Sequence, residues 1–216
     1  MVVCGPLHTD PSTAIERRTL RTNPDRRVIP TTALEALWHR DDLALREKTL
    51  WRLAYDSAAR ANEILSLDIP DLDPQTKTAM ITGKGGTRRQ INWYTHTAHL
   101  LARLCDRRRS GPAFLAQRRP RGPVASTDQD PTTGRARLSY RRAAELFTTN
   151  TSWTLHQLRH TRIRELKDQN CPLPVLQKIT GHTSLRTLTE HYPGPSPNTV
   201  RAYYDNTDPT TRRQAR

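Results

Sequence analysis

One stretch of the sequence alternates in a way that its surroundings do not. Residues 76–94, TKTAMITGKGGTRRQINWY, place apolar and polar side chains alternately on either side of a glycine-rich centre. This pattern is typical of two antiparallel strands joined by a tight turn, and residues 66–73, SLDIPDLD, add a third segment of the same character. The stretches on both sides carry helical patterns instead. The sequence therefore predicts an α+β fold that is mostly α-helical and contains a small antiparallel β-sheet.

Helical periodicity first appears over residues 31–60. Leu43, Leu50 and Ala54 recur at i, i+7 and i+11 and form one apolar stripe. The pattern breaks at DSAAR, and Asn62 is the predicted N-cap of a short second helix. Further helical patterns cover residues 95–108, 139–148, 155–169 and 172–180. The tryptophans are assigned to the core rather than to base stacking: Trp38, Trp51, Trp93 and Trp153.

The chain divides into three parts by composition. Residues 1–30 are polar, with several prolines and arginines, and are predicted to be a basic flexible arm or linker. Residues 31–192 form the predicted domain, and residues 193–216 a polar C-terminal tail. Within the domain, residues 106–137 are predicted to be a long basic loop around the apolar insert AFLA. Its arginine-rich part, residues 106–121, could contact phosphates or could be a disordered solvated loop, and the sequence leaves both open.

An excess of basic residues indicates what the chain binds. It has 35 Lys and Arg against 21 Asp and Glu, a net charge of +14. A field of this size attracts polyanions, and nucleic acid fits better than an anionic membrane because no basic segment has a strong apolar face. No apolar run approaches the roughly 20 residues of a membrane span, and the N-terminus lacks the pattern of a signal peptide. Cys4, Cys105 and Cys171 are far apart, which argues against a zinc site or a disulfide framework. We expect a cytoplasmic protein that binds nucleic acid and no membrane.

Several short motifs carry polar residues suited to phosphate chemistry. In HQLRHT, a His and an Arg stand at i, i+3 near a helix start, where they share a face and where backbone N–H groups favour an anion. In TGKGGTRR a Lys is flanked by glycines at the hairpin tip, and in AARANEIL an Arg precedes a short helix with a Glu one turn on. Each motif alone fits an ordinary solvated surface. Their order along the chain is more specific: Arg60, Lys84, His156, Arg159, His182 and Tyr192.

Taken together, these motifs resemble those of the tyrosine recombinases, the phage integrase family. AARANEILSL is similar to that family's first arginine box, GKGGTRRQI to its β-hairpin lysine and HQLRHT to its His-x-x-Arg box. GHTSLRT, followed by Tyr192, is similar to the closing His and the nucleophilic Tyr. The resemblance spans roughly residues 31–192. It implies the catalytic domain of a site-specific DNA recombinase or integrase, which cleaves and rejoins strands through a 3′-phosphotyrosyl intermediate.

The resemblance implies that positive side chains neutralise the reacting phosphate. Phosphoryl transfer builds negative charge on the equatorial oxygens, and metal ions usually neutralise it. Here Arg60 and Arg159 would grip the non-bridging oxygens with their planar guanidinium groups, and His182 would add a hydrogen bond. The sequence shows no cluster of Asp, Glu and His with metal-ligand spacing, so neither a metal ion nor another cofactor is expected.

The resemblance also implies how protons move during the reaction. A tyrosine hydroxyl has a pKa of about 10, so Tyr192 needs activation before it attacks phosphorus. His156 would be the general base, and Lys84 the general acid for the departing 5′-oxygen. The phosphotyrosine bond keeps the energy of the phosphodiester, so rejoining needs no ATP.

Two features depart from the family pattern. The family usually places its Tyr about nine positions after the second box His, whereas Tyr192 follows His182 by ten positions. Leu188 looks like the extra residue, and His191 fills the ninth position. One residue on a helix turns a side chain by about 100°, so a compensating turn is needed to place the phenol. The second departure is small: Ala58 and Ala59 precede Arg60 where the family often has a glycine-containing turn.

The family also implies partners and a second domain. Integrases of this type usually clamp DNA between the catalytic domain and a separate N-terminal helical domain, for which residues 1–30 are too few. The chain therefore resembles a catalytic domain alone. The expected partners are double-stranded DNA and further copies of the chain assembled on it. Tyr203 and Tyr204 in the tail are further candidates for the nucleophile.

Two other functions stay open. A non-catalytic DNA-binding protein derived from a recombinase is favoured by the shifted tyrosine and the missing clamp domain. Residues 174–192 could then form a helix-turn-helix with Gly181 in its turn. A topoisomerase that relaxes DNA without strand exchange would use the same chemistry.

Overall fold

The computed structural model describes residues 27–83, 86–182 and 201. Seven α-helices and one three-stranded antiparallel sheet lie within these residues, which confirms the predicted α+β fold. The helices are α1 (Thr31–His39), α2 (Leu45–Ser57), α3 (Ala61–Leu65), α4 (Thr95–Cys105), α5 (Tyr140–Thr151), α6 (Leu155–Asp168) and α7 (Leu173–Thr180). The strands are β1 (Leu72–Asp73), β2 (Thr78–Thr82) and β3 (Arg88–Asn92). None of these described helices has the length and apolar character needed to cross a bilayer.

Helix α2 lies at the centre of the fold. It contacts α3, α4, α5 and α6 as well as strand β3. Its Trp51 is fully buried and meets the Phe147 ring edge-on, with the ring centroids 5.1 Å apart. Trp93 is also buried, and Trp38 and Trp153 are partly buried against the same cluster. The assignment of the tryptophans to the core is therefore confirmed.

The first helical pattern is two helices rather than one. Residues 40–44 separate α1 from α2, and Arg40 leaves the helix with an extended ψ of 124°. Its guanidinium donates to the carbonyl of Asn150 at 2.7 Å, which fixes the connection against the end of α5. Leu43 of the predicted stripe is buried, but it lies in this connection and not on a helix. The break reflects long-range bonding that helical periodicity does not register.

Strands β2 and β3 form the predicted hairpin. They pair antiparallel from Thr78 opposite Asn92 to Thr82 opposite Arg88, and Gly83 continues the pairing through a backbone hydrogen bond of 2.8 Å. The alternation works as expected, with one face of the hairpin exposed and the other against the core. The buried face carries Ala79, Ile81 and Ile91.

The basic connection between α4 and α5 is irregular, as predicted, but it is anchored to the rest of the fold. Phe114 of the apolar insert is fully buried, and its carbonyl accepts the N–H of Leu138 at 2.8 Å. Arg108 donates to two carbonyls within the connection, and Arg137 donates to two carbonyls at the end of α3 and just after it. Among the described residues, none bonds to the exposed side chain of Arg121. The alternative of a disordered solvated loop is therefore wrong, and only part of the basic charge here faces solvent.

The residues just before α1 join the core. Ile29 is buried, and its N–H donates to the Thr161 hydroxyl on α6 at 2.8 Å. The domain boundaries at residues 30 and 192 stay predictions, because residues 1–26 and 183–200 lie outside the described part.

Candidate active site

The turn between α2 and α3 is built around a left-handed alanine. Ala58 has φ 49° and ψ 23°, a region that costs a residue with a Cβ about 1–2 kcal/mol. Its methyl group is fully buried with Ile163 and Leu176, which offsets part of that cost. Arg60 follows two residues later and is the N-cap of α3, so the predicted cap at Asn62 is wrong. The turn thus holds the first candidate arginine in a fixed place at the start of a helix.

Arg159 on α6 binds this turn to the end of α7. Its side chain is 4 % exposed, and its guanidinium donates to the carbonyls of Ala58 and, at 2.9 Å, Thr180. These acceptors lie two residues before Arg60 and two residues before His182. A solvated helix face, the ordinary explanation of an i, i+3 His and Arg, is therefore wrong for Arg159. One buried guanidinium brings the segments of two other candidate residues together.

The Glu63 carboxylate orients two arginines. It accepts the Arg60 N–H at 2.9 Å, the Arg60 guanidinium at 3.1 Å and the Arg89 guanidinium at 2.8 Å. Glu63 is 6 % exposed, and burial alone would raise its pKa. The Arg60 N–H and the charge of Arg89 outweigh that effect and lower the pKa of Glu63 below its ordinary value. The carboxylate thus stays ionised and holds Arg60, whose side chain remains 46 % exposed to solvent and to any substrate.

His182 follows α7 at a glycine turn. Gly181 ends the helix with φ 65° and ψ 33°, which is typical of a glycine C-cap. The His182 ring is partly buried, and its Nδ1 lies 2.7 Å from the Thr180 hydroxyl. That hydroxyl also donates to the carbonyl of Leu176 at 2.8 Å, and the tautomer of the ring decides whether Nδ1 donates to the hydroxyl oxygen or accepts from it. The orientation of the ring is therefore fixed from the end of α7.

His156 is the second residue of α6 and lies one turn before Arg159. Its ring is exposed and meets the His160 ring edge-on, with the centroids 4.4 Å apart. The position at the start of a helix, which the sequence predicted, is confirmed. Backbone N–H groups and the positive end of the helix dipole make this end of α6 favourable for an anion.

Two of the predicted site residues, Lys84 and Tyr192, lie outside the described residues, and so do the alternatives for the nucleophile. The residue before the lysine is described. An ideal Cβ built on Gly83 would lie 3.5 Å from Oε1 of Glu63, so the hairpin reaches the carboxylate that holds Arg60. Among the residues that the structure describes, no group of three His, Cys, Asp or Glu side chains is placed to hold a metal ion.

Sequence reasoning missed Arg89 as part of this network. The motif that contains Glu63 fits an ordinary solvated surface, whereas the Glu63 carboxylate is buried between Arg60 and Arg89. A signal for Arg89 was present in the alternation of the strand. Arg89 stands two residues before the apolar Ile91, so both must lie on the buried face of β3.

Comparison with known proteins adds an independent result. The sequence model of the phage integrase family matches residues 28–198. The tyrosine recombinase XerD of Mycobacterium leprae is 29% identical over 154 residues, which make up 67% of this chain and 47% of XerD. XerC of the same organism is 27% identical over 176 residues, 78% of this chain and 56% of XerC. The chain therefore spans about half the length of these curated relatives.

Solved structures share the fold at low identity. A crystal structure of XerA recombinase has a TM-score of 0.65 and 16% identity, and covers 85% of this chain and 65% of XerA. The Tn1549 transposon integrase in complex with circular intermediate DNA has a TM-score of 0.59 and 15% identity, with coverages of 86% and 68%. The XerH recombinase in a post-cleavage complex with its difH substrate has a TM-score of 0.56 and 20% identity, with coverages of 77% and 49%. These likenesses show the fold.

Proposed function

The chain belongs to the phage integrase family, and from that premise we propose that it carries the catalytic activity of a tyrosine-type DNA recombinase. The reaction would cleave and rejoin DNA strands through a 3′-phosphotyrosyl intermediate. The observation that carries the proposal is the buried Arg159 guanidinium, which binds the turn before Arg60 and the turn before His182 at once. These bonds join Arg159 to the segments that carry Arg60 and His182, which supports a common site for the three residues.

The proposed phosphate site follows from the charges in this network. Arg60 is held by Glu63 yet half exposed, so it can present its guanidinium to a non-bridging oxygen without first being ordered. Arg159 adds a second positive charge from the buried side, where charge is screened less than at the surface. His182, oriented through Nδ1, would donate to the same phosphate.

The proton transfers remain part of the proposal. Tyr192 would attack phosphorus, and the exposed His156 near the start of α6 would accept its proton. Lys84 would protonate the departing 5′-oxygen, and the proposal is supported by the position of Gly83, where an ideal Cβ would lie 3.5 Å from Oε1 of Glu63.

We also propose double-stranded DNA as the substrate, bound by several copies of the chain. The support is the net charge of +14 and the similarity to the Tn1549 integrase and XerH, which were solved with DNA. The cytoplasm is the proposed location, and the free thiols of Cys105 and Cys171 agree with a reducing compartment.

A nicked suicide substrate tests the function. Cleavage beside the nick releases a short strand, so rejoining stops and the chain should remain attached to DNA as an adduct that resists SDS. Tyr192→Phe should abolish this adduct, and the matched controls Tyr203→Phe and Tyr204→Phe should keep it. An adduct that persists in Tyr192→Phe would refute the nucleophile assignment. Salt-dependent DNA binding without any adduct from the unaltered chain would identify a DNA-binding protein without catalysis.

A further inference from the structure

Arg89 lies on the buried face of the hairpin. It is in β3 opposite Ile81 and two residues before the buried Ile91, whereas its neighbour Arg88 is exposed on the other face. The Arg89 side chain is 12 % exposed. A charged group is stable at such a position only when it is paired and hydrogen-bonded, so its partners must account for its presence.

The Arg89 guanidinium joins two other segments to the hairpin. Its Nη2 donates to Oε2 of Glu63 at 2.8 Å, and its Nη1 donates to the carbonyl of Ile179 at 2.8 Å. Glu63 is the residue that holds Arg60, and Ile179 lies three residues before His182. One side chain therefore connects the hairpin, the start of α3 and the end of α7.

Gly181 makes this connection possible. An ideal Cβ on Gly181 would lie 2.5 Å from Nε and 2.7 Å from Cδ of Arg89, distances that real side chains do not adopt. The absence of a side chain lets the backbone at the end of α7 lie directly against the stem of the arginine. The contact thus depends on the same glycine that turns the chain toward His182.

We propose that Arg89 is a positioning residue for strand cleavage, because its guanidinium fixes strand β3 of the hairpin and the segments that carry Arg60 and His182 in one arrangement. The inference rests on the proposed function and assigns Arg89 no contact with DNA. Without the guanidinium, the hairpin and the two turns lose their common attachment. A displacement of about 1 Å in a reacting group can lower a rate on the order of 100-fold.

The planar guanidinium group is needed to bond Glu63 and Ile179 at the same time. Glu63 and Ile179 are bonded by different nitrogen atoms of Arg89, and a planar guanidinium serves both from one orientation. An ammonium group in Arg89→Lys keeps the charge beside Glu63 but cannot reproduce this planar pair of bonds. Arg89→Lys should therefore retain part of the function, and Arg89→Met should retain less.

Single-turnover kinetics on the suicide substrate test the positioning role, with Arg88→Met as the matched control on the same strand. At saturating DNA, adduct formation should slow on the order of 100-fold in Arg89→Met, about 10-fold in Arg89→Lys and less than about twofold in Arg88→Met. The DNA concentration for half-saturation should rise no more in Arg89→Met than in Arg88→Met, since Arg88 is exposed and Arg89 faces the core. Equal rates for the two Met variants, or a loss in Arg89→Met explained by weaker DNA binding alone, overturn the proposal.

A second measurement needs neither DNA nor activity. The imidazole NMR resonances of His182, assigned with a His182→Gln variant, should move in Arg89→Met and stay in place in Arg88→Met. Unchanged His182 resonances in Arg89→Met overturn the proposal whatever the kinetics show. If the unaltered chain forms no adduct, the proposed function fails, while the His182 resonances still decide whether Arg89 holds the turn. If Arg89→Met does not fold, the kinetic and NMR measurements are both made on Arg89→Lys.

Discussion

Gly181→Ala measures how tightly the end of α7 packs against the hairpin. The added methyl has two separate costs. At φ 65°, a Cβ destabilises the folded chain by about 1 kcal/mol relative to glycine. It would also lie 2.5 Å from Nε of Arg89, so the arginine must give up at least one of its bonds to Glu63 and Ile179. A hydrogen bond of a charged group contributes about 1.5–3 kcal/mol, so the total expected loss is about 2.5–4 kcal/mol.

Urea unfolding of the full chain, followed by tryptophan fluorescence, gives the free energy of unfolding. Gly134→Ala is the matched control, because Gly134 has φ 66° and an added Cβ would meet nothing closer than 3.5 Å, the Nε of Arg119. The free energy of unfolding of this control should fall only by the cost of a Cβ at positive φ, about 1 kcal/mol. In a chain of this size, the difference between the variants corresponds to a Tm difference of roughly 3–12 °C.

A double-mutant cycle isolates the steric clash between the methyl group added at Gly181 and the side chain of Arg89. In an Arg89→Ala background the stem of the arginine is gone, and Arg60 still pairs with Glu63. Gly181→Ala should then cost about 1 kcal/mol, the same as Gly134→Ala. If Gly181→Ala costs as much without the Arg89 side chain as with it, the two residues do not pack as described and the reasoning is refuted.

Three further changes probe the same network and its surroundings. Arg159→Lys should lower the free energy of unfolding by about 1–3 kcal/mol, because an ammonium group cannot donate to both carbonyl acceptors. Urea unfolding measures this loss, with Arg164→Lys as the exposed control. The pKa of Glu63 in the folded chain lies below its ordinary value of 4.5. The contribution of its carboxylate to the free energy of unfolding is therefore complete above pH 4.5 and is lost as the pH falls through the folded pKa. Unfolding from about pH 3 to 7 should show the advantage of the wild-type chain over Glu63→Gln shrinking toward acid. Arg137→Met should lower the free energy of unfolding by about 2–4 kcal/mol, because its bonds to carbonyl and carboxylate groups are lost. The control Arg121→Met should change the free energy of unfolding by less than about 0.5 kcal/mol. In DNA binding, Arg121→Met should reduce the slope of log K against log salt concentration by about 1.

The parts of the fold that the sequence predicted are those set by neighbouring residues. The hairpin follows from alternation within residues 78–92, and α6 begins at Leu155, where the predicted helical pattern over residues 155–169 begins. The parts that it did not predict depend on distant bonds. The carbonyl acceptors of Arg159 are 101 and 21 residues away, and Ile179, the carbonyl acceptor of Arg89, is 90 residues away. The alternation of β3 indicates that Arg89 faces the core, but no local pattern identifies the distant carbonyl groups to which Arg89 and Arg159 bond.

The net charge has a different meaning once arginines bonded within the protein are separated from those exposed to solvent. Composition assigns all 35 basic residues to one field, but the structure separates the arginines by their surroundings. Arg159 is buried and Arg89 is largely buried, and both bond to carbonyl groups of the protein. Arg108 and Arg137 anchor the connection between α4 and α5. Only phosphate contacts release counterions from DNA, so the salt dependence of binding reports the exposed arginines, among them Arg121. The slope should therefore be far smaller than the count of basic residues suggests, because much of that charge stabilises the fold and the proposed site from within.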